Sequence, residues 1–376
     1  MPVTIGALRE SAPGETRVSI VPEVASKLAA AGAKVLIERG AGTSAQFPDA
    51  LFKDVEWADS ADAVLARADI LLTVQPLEPA QVAKLRRGSV VVGYQQAHAR
   101  PEGVKALRDA GITSFAMELI PRISRAQSMD ALSSQAALAG YKAVLIAANT
   151  LDRFLPMLTT AAGTIRPAQV LIVGVGVAGL QAIATAKRLG AMVEAYDVRS
   201  ATREQVKSLG AKFVETGVSA EGTGGYAREL TDEEKAKQQE VLEARIAVAD
   251  AVITTAAVPG RRAPRIVSRA AVERMKAGAV IVDMAAESGG NCELTVAGQT
   301  VVHNGVKIVG PVNLPAQLAY HASEMYSRNL LNFLKPALDK QGALAIDWND
   351  EVFAQACLTH DGVIKHAPTA KLVEGT

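Results

Sequence analysis

Apolar residues in the first third of the chain come in short unbroken runs. Val3 to Leu8, Lys34 to Glu38, Asp69 to Val74, Ser89 to Gly93 and Thr113 to Met117 each read as a strand, and Pro22 to Ala31 and Pro101 to Ala110 carry helical spacing between them. A run that is apolar throughout, rather than at alternate positions, fits a strand covered on both faces, as in a parallel sheet flanked by helices. A second series follows: Val170 to Val173, Met192 to Tyr196, Ala251 to Thr254, Ala279 to Val282 and Lys307 to Val309. The pattern predicts an α/β chain with two doubly wound parallel-sheet domains in tandem, separated by a cleft.

Two long helical stretches are expected to cross that cleft. One is Gln127 to Leu151; the other is Ala316 to Leu334, introduced by Asn313-Leu314-Pro315, where proline suits a first helical turn. By analogy with other two-lobed α/β proteins, the last 40 or so residues are expected to rejoin the first domain. The domains are therefore set at residues 1–135 plus 316–376, and 136–315. The uncharged stretch Ala168 to Ala186 approaches the length of a membrane span. Its three clustered glycines and Gln181 make it a strand, a tight turn and a helix instead.

Composition narrows the function classes. The 376 residues exceed what one hydrophobic core usually organises, in keeping with two domains. Forty Lys plus Arg against 39 Asp plus Glu give a net charge of +1 with no block of like charges, so no nucleic-acid partner is expected. Only two cysteines, Cys292 and Cys357, occur, far apart in sequence, which points to a reducing cytoplasm and to neither a disulfide framework nor a common zinc site. Arg9 and Glu10 come too early for a signal peptide. The chain has no HExxH, P-loop or GxSxG motif, and no pair at metal-ligand spacing among His98, His303, His321, His360 and His366, so no metal is expected.

Gly174-Val-Gly176-Val177-Ala178-Gly179 follows a strand and opens a helix through Leu189. In that setting the first glycine makes the turn, the second lets the backbone approach a pyrophosphate, and the third lets helix and strand pack closely. Unpaired N–H groups at the helix start would bind the phosphates. Eighteen residues beyond Gly179, a strand ends at Asp197-Val198-Arg199, where the carboxylate can accept both hydroxyls of an adenosine ribose. This favours NAD over NADP, and Arg199 keeps the second alternative open. Thr254-Thr255-Ala256-Ala257-Val258-Pro259-Gly260 ends a central strand, where open α/β sheets place ligands, and its small residues leave room for a flat ring.

Arg122 to Gln135 is unusually polar. Gln127, Asp130 and Ser134 share one helix face at i, i+3 and i+7. Either the segment is a capped helix start, with Asp130 or Ser128 as the cap, or its polar groups orient a nicotinamide carboxamide. Tyr226, in the glycine-rich run Gly222 to Arg228, is either incidental or part of a mobile lid. Thr231 and Glu234 form a capping box for the helix that follows.

Together these residues resemble the alanine dehydrogenase and nicotinamide nucleotide transhydrogenase superfamily. The resemblance runs through Arg17-Val-Ser-Ile, Gly174 to Gly179, Val258-Pro259-Gly260 and Glu287-Ser-Gly289-Gly290-Asn291. Met117 to Asp130 and Thr160-Ala-Ala-Gly163 are similar to the NAD(H)-binding domain of proton-translocating transhydrogenases in particular. The resemblance implies two Rossmann-like domains and direct hydride transfer between NAD(H) here and NADP(H) on a partner subunit. It also implies a homodimer held at the cytoplasmic face of the inner (plasma) membrane by a membrane-embedded transhydrogenase subunit. By the same resemblance, Arg122, Gln127, Asp130 and Ser133 form the nicotinamide-side loop, Asp197 is the ribose carboxylate and Tyr226 the mobile-loop tyrosine. Alanine dehydrogenases carry a lysine and a histidine after the strands equivalent to 69–74 and 89–93; here Gln75 and Gln96 stand in those places. Neither glutamine supplies the proton transfers of reductive amination near pH 7.

Overall fold

Ile70–Leu72 and Val90–Gly93 are buried at every position, as central strands covered by helices on both faces must be. The computed structural model describes residues 2–217, 230–257 and 262–375. They divide into two compact units, Met1–Gln135 with Ala316–Thr376, and Ala136–Pro315.

The first unit holds an eight-stranded sheet. Its six parallel strands, Thr4–Ala7, Lys34–Glu38, Glu56–Ala58, Ile70–Leu72, Val90–Gly93 and Thr113–Ala116, lie in the order 3-2-1-4-5-6, so the sheet reverses direction between Thr4–Ala7 and Ile70–Leu72. The second unit repeats this plan. From one edge its strands run Lys212–Phe213, Met192–Tyr196, Gln169–Val173, Ala251–Thr254, Val280–Asp283, Val306–Val309 and Thr300–His303, and the reversal falls between Gln169–Val173 and Ala251–Thr254. Such reversals are where doubly wound sheets open a crevice for ligands.

The expected parallel arrangement holds for the central strands, and each sheet is extended at one edge by antiparallel strands. Cys357–His360 pairs antiparallel to Thr113–Ala116, Val363–Ile364 pairs antiparallel to Cys357–His360, and Thr300–His303 pairs antiparallel to Val306–Val309. Val363–Ile364 and Thr300–His303 lie at sheet edges with one neighbour each, and Cys357–His360, between Val363–Ile364 and Thr113–Ala116, carries the polar Thr359 and His360, so none of the three shows the continuous apolar run of the central strands. A separate hairpin, Leu158–Thr160 with Gly163–Ile165, is exposed along both strands.

Both long helices begin later than their apolar patterns suggest. Ser124–Met129 is a 3-10 turn, Asp130 breaks the spiral with ψ 89°, and the α-helix runs from Ala131 to Thr150. Leu314–Leu318 is likewise 3-10, with the α-helix at Ala319–Leu334; the Ala316 carbonyl accepts the Thr16 hydroxyl at 2.5 Å. Among the described residues, Ala131–Thr150 is the one helix long and apolar enough to cross a membrane. Its Ala139, Ala143, Val144 and Ala147 lie in the core of the second unit with Val170, Ile172 and Ile183.

The C-terminal segment completes the core of the first unit. Phe333 and Phe353 meet Phe115 edge-on, with ring centroids 5.2 and 5.9 Å away. Full burial of one such ring contributes about 1.5–3 kcal/mol. Tyr326 adds a buried hydroxyl that donates to the Thr73 carbonyl at 2.9 Å, fixing helix Ala319–Leu334 to the end of strand Ile70–Leu72.

Candidate functional site

Val173 ends its strand, and Gly174 follows with φ 97°, a conformation costly for any residue with a Cβ. The turn lets Gly174 N–H donate to the Tyr196 carbonyl at 2.8 Å and Val175 N–H donate to Asp197 Oδ2 at 2.8 Å. Gly176 then stands at the N-terminus of helix Val177–Arg188, which no side chain caps. The three glycines serve different needs. A Cβ on Gly179 would lie 1.9 Å from the Gly174 carbonyl oxygen, and one on Gly174 would lie 2.5 Å from Thr255 Oγ1. A Cβ on Gly176 would meet nothing within 4 Å. The protein's own packing therefore demands the first and third glycines, and the second leaves an open cradle. The first-turn amides of Val177, Ala178 and Gly179, at the positive end of the helix dipole, fit a pyrophosphate there.

Neighbouring segments hold this turn in place. Thr255, just after strand Ala251–Thr254, donates its hydroxyl to the Gly174 carbonyl at 2.9 Å. Asn291 donates to the carbonyls of Ala256 and Pro264 at 2.8 and 2.9 Å. Asp283 is fully buried, and four donors satisfy its carboxylate: the Thr254 and Thr295 hydroxyls and the amides of Ala285 and Cys292. Gly140 was not singled out by sequence, yet a Cβ there would sit 2.1 Å from the Ala178 carbonyl oxygen. Its only signal is a lone glycine within a 20-residue helix.

Asp197 is 7% exposed. Besides Val175 N–H on Oδ2, it accepts Arg199 N–H and Nε at Oδ1 (2.9 and 2.8 Å) and Arg199 Nη2 at Oδ2 (2.8 Å). Val198, between them, packs partly buried against the Tyr196 cluster. Gly174, Gly176, Gly179, Asp197, Arg199 and Thr255 thus converge on the end of one sheet. Tyr226 and Val258, with Gly222 to Arg228, Pro259 and Gly260, lie outside the described residues.

In the first unit, Asp130 caps helix Ala131–Thr150: Oδ1 accepts Ser133 N–H at 2.9 Å and Oδ2 accepts the Ser133 hydroxyl at 2.6 Å. Ser134 turns away to Asn329 Oδ1 at 2.7 Å, so it does not join Gln127 and Asp130. Arg122 and Gln127 are exposed on the same segment.

A cavity of about 270 Å³ opens at the sheet reversal of the first unit, bordered by Glu10, Thr73, Gln75, Gln96 and Arg100. Gln96 donates to Gln75 Oε1 at 2.8 Å, Gln75 donates to Glu15 Oε2 at 2.7 Å, and Arg17 grips Glu15 through Nε and Nη2 at 2.8 and 2.6 Å. Arg17 also donates to Gln135 Oε1 at 2.9 Å. Burial alone would raise the Glu15 carboxyl, but the Arg17 guanidinium outweighs it and brings the pKa down to about 2. Glu10 goes the other way: burial raises it to about 7, although its oxygens accept the amides of Val74 and Gln75 at 2.6 and 3.1 Å. No spacing rule singles out Glu10, because its partners lie more than 60 residues away.

Comparisons with known proteins bear on both units. Residues 6–139 match the family described as "Alanine dehydrogenase/PNT, N-terminal domain", and residues 143–367 match "Alanine dehydrogenase/PNT, C-terminal domain". The chain is 47% identical over 370 residues to the first part of the NAD(P) transhydrogenase alpha subunit of Rhodospirillum rubrum, covering 95% of this chain and 96% of that protein. It is 29% identical to alanine dehydrogenase of Mycobacterium tuberculosis, covering 96% and 94%. Among solved structures, the transhydrogenase from Sinorhizobium meliloti superposes with a TM-score of 0.87 at 44% identity, covering 96% of this chain and 99% of that one. An L-alanine dehydrogenase superposes with a TM-score of 0.82 at 25% identity, covering 99% of each.

Proposed function

This chain belongs to the alanine dehydrogenase/PNT family, and from that premise we propose that it is the NAD(H)-binding component of a proton-translocating NAD(P) transhydrogenase. In this reading hydride passes directly between NADH bound here and NADP+ bound on a partner subunit. The observation that carries it is the Gln75–Gln96 pair, bonded at 2.8 Å, at the places that the resemblance assigns to the lysine and histidine of alanine dehydrogenases. Neither glutamine moves a proton near neutral pH. Glu10 titrates beside them, but its carboxylate oxygens hold the Val74 and Gln75 amides, which makes it a support for the backbone.

Hydride transfer between two nicotinamide rings needs no acid or base. The chain has only to hold one ring at contact distance and keep water away. Arg122, Gln127, Asp130 and Ser133 are the groups proposed to border that ring, with Tyr226, Thr255, Ala256 and Val258 around the nucleotide. The cradle at Gly176 and the amides from Val177 to Gly179 suit the pyrophosphate, and Asp197, flanked by Val198 and Arg199, suits the adenosine ribose. We further propose a homodimer at the cytoplasmic face of the membrane, with the proton path in a membrane-embedded partner and NADP(H) on a separate domain.

The test is NADH oxidation by the purified chain with two alternative acceptors. Oxidation only with an NADP+-loaded transhydrogenase domain supports the proposal. Turnover with pyruvate and ammonium overturns it in favour of an alanine dehydrogenase, and NADH binding with oxidation by neither acceptor overturns it in favour of a nucleotide sensor.

A further inference from the structure

We propose that Arg199 is a latch on the ribose carboxylate, competing with the adenosine ribose for Asp197, so that NADH binds only as the Arg199 guanidinium leaves. This rests on the reading of Asp197 as the ribose acceptor.

An ionised carboxylate offers about four lone-pair positions, and four N–H groups meet the Asp197 carboxylate: one from Val175 and three from Arg199. Two of these belong to the backbone. Val175 N–H is fixed by the glycine turn, and Arg199 N–H by the chain leaving the strand, so neither yields without unfolding the turn. The other two, Nε and Nη2, sit on a side chain that is 25% exposed and whose rotatable torsions offer alternative rotamers. A ribose diol supplies two O–H donors, the same number that the guanidinium withdraws.

Ribose binding is therefore an exchange of hydrogen bonds. The carboxylate is equally satisfied before and after, so most of the ribose contribution is offset by the loss of a partly buried, bidentate ion pair. This arrangement suits a protein that must release one nicotinamide nucleotide and take another at every turnover. It also limits which ligands sense the latch. A 2′-phosphate has no proton to give Asp197 at that position, so it cannot replace the guanidinium donor for donor. Ligands without ribose hydroxyls do not compete with Arg199 at all.

Arg199→Met keeps the aliphatic stem and removes the donors; Arg199→Gln repeats the test should the Met variant fold poorly. Dissociation constants and release rates would be measured for NADH, 5′-AMP and 2′,3′-dideoxy-AMP. The expected result is about tenfold tighter binding of NADH and 5′-AMP, with slower release, and unchanged binding of the dideoxy nucleotide. Without nucleotide the variant should melt at a lower temperature than the wild type, and NADH should raise its melting temperature by more. NADH affinity that is unchanged or weaker in both variants, with normal wild-type binding, would overturn the latch alone. So would equal tightening for the dideoxy nucleotide, because the effect would not then pass through the ribose. Failure of the wild-type chain to bind NADH, or unaltered NADH binding by Asp197→Ala, would overturn the cofactor reading and the latch with it.

Discussion

Gln96 donates its side-chain amide to Gln75 Oε1 at 2.8 Å, joining the ends of two adjacent strands in the first unit. The chain of bonds continues through Glu15 to Arg17, so these side chains satisfy one another. Gln96 has a left-handed backbone, φ 49°, which asparagine tolerates. Gln96→Asn is too short to keep the bond and is expected to leave hydride transfer to NADP+ within about twofold of wild type. A loss of about 10²-fold or more in the same steady-state assay would mean that the Gln75–Gln96 bond positions reacting groups, and would sink the present reading.

The glycine turn yields a paired prediction. Gly176→Ala places its methyl in the open cradle, so the protein should melt as wild type while NADH binding weakens. Gly179→Ala drives a methyl to within 1.9 Å of the Gly174 carbonyl oxygen and should lower both stability and binding. Thermal melts alongside NADH titrations separate the two, and normal NADH affinity in folded Gly176→Ala would remove the pyrophosphate from this cradle.

Asp130 and Ser133 combine a structural and a proposed functional role. Asp130→Ala removes the cap of helix Ala131–Thr150 and should cost about 1 kcal/mol, with Asp130→Asn restoring most of it. Ser133→Ala keeps the amide bond to Asp130 Oδ1 and should melt nearly as wild type. If the hydroxyl borders the nicotinamide, Ser133→Ala slows hydride transfer all the same; an unchanged rate would leave the pair as a helix cap alone.

Gln127 is exposed and outside the cap. Gln127→Asn shortens it by one carbon and is expected to slow hydride transfer by up to about 100-fold through misplacement of the ring, with NADH affinity changed less. Single-turnover kinetics would check this, and wild-type rates would exclude Gln127 from the site.

Glu10 and Glu15 predict opposite pH effects on stability. The folded chain keeps the Glu10 proton up to about pH 7, whereas the unfolded chain releases it near the ordinary carboxyl value. The stabilisation from Glu10 is thus present in acid and lost as pH rises through that window. Glu15 is depressed to about 2, so its stabilisation holds above the ordinary carboxyl value and is lost as pH falls from there towards 2. Chemical denaturation from about pH 4 to 8 should show a decline in wild type that flattens in Glu10→Gln; an identical slope in the variant would contradict the Glu10 assignment.

How far the sequence was legible follows from which forces are local. Lys34–Glu38, Met192–Tyr196 and Ala251–Thr254 match the runs that predict them, because each holds buried apolar residues, such as Val35 to Ile37 or Val252 to Ile253, that are already visible in the sequence. Thr300–His303 was missed because an edge strand need not be apolar throughout, and Cys357–His360 because its buried Thr359, paired through its hydroxyl with Ser114, breaks the apolar run. The break at Asp130 was open to two readings, since a capping carboxylate and a ligand-facing one have the same spelling.

The sequence by itself determined the strand, turn and helix around Gly174, Gly176 and Gly179, because the apolar run, the positive φ of Gly174 and the contact of Gly179 with the Gly174 carbonyl are all local to that segment. It also determined that Gln75 and Gln96 carry no titratable proton. Only the tertiary structure decided that Glu10 would hold the amides of Val74 and Gln75, that Glu15 would also accept from Gln75, and that Gly140 would press on Ala178. Those outcomes depend on strand order and on desolvation by residues distant along the chain, and neither is written in any local spacing.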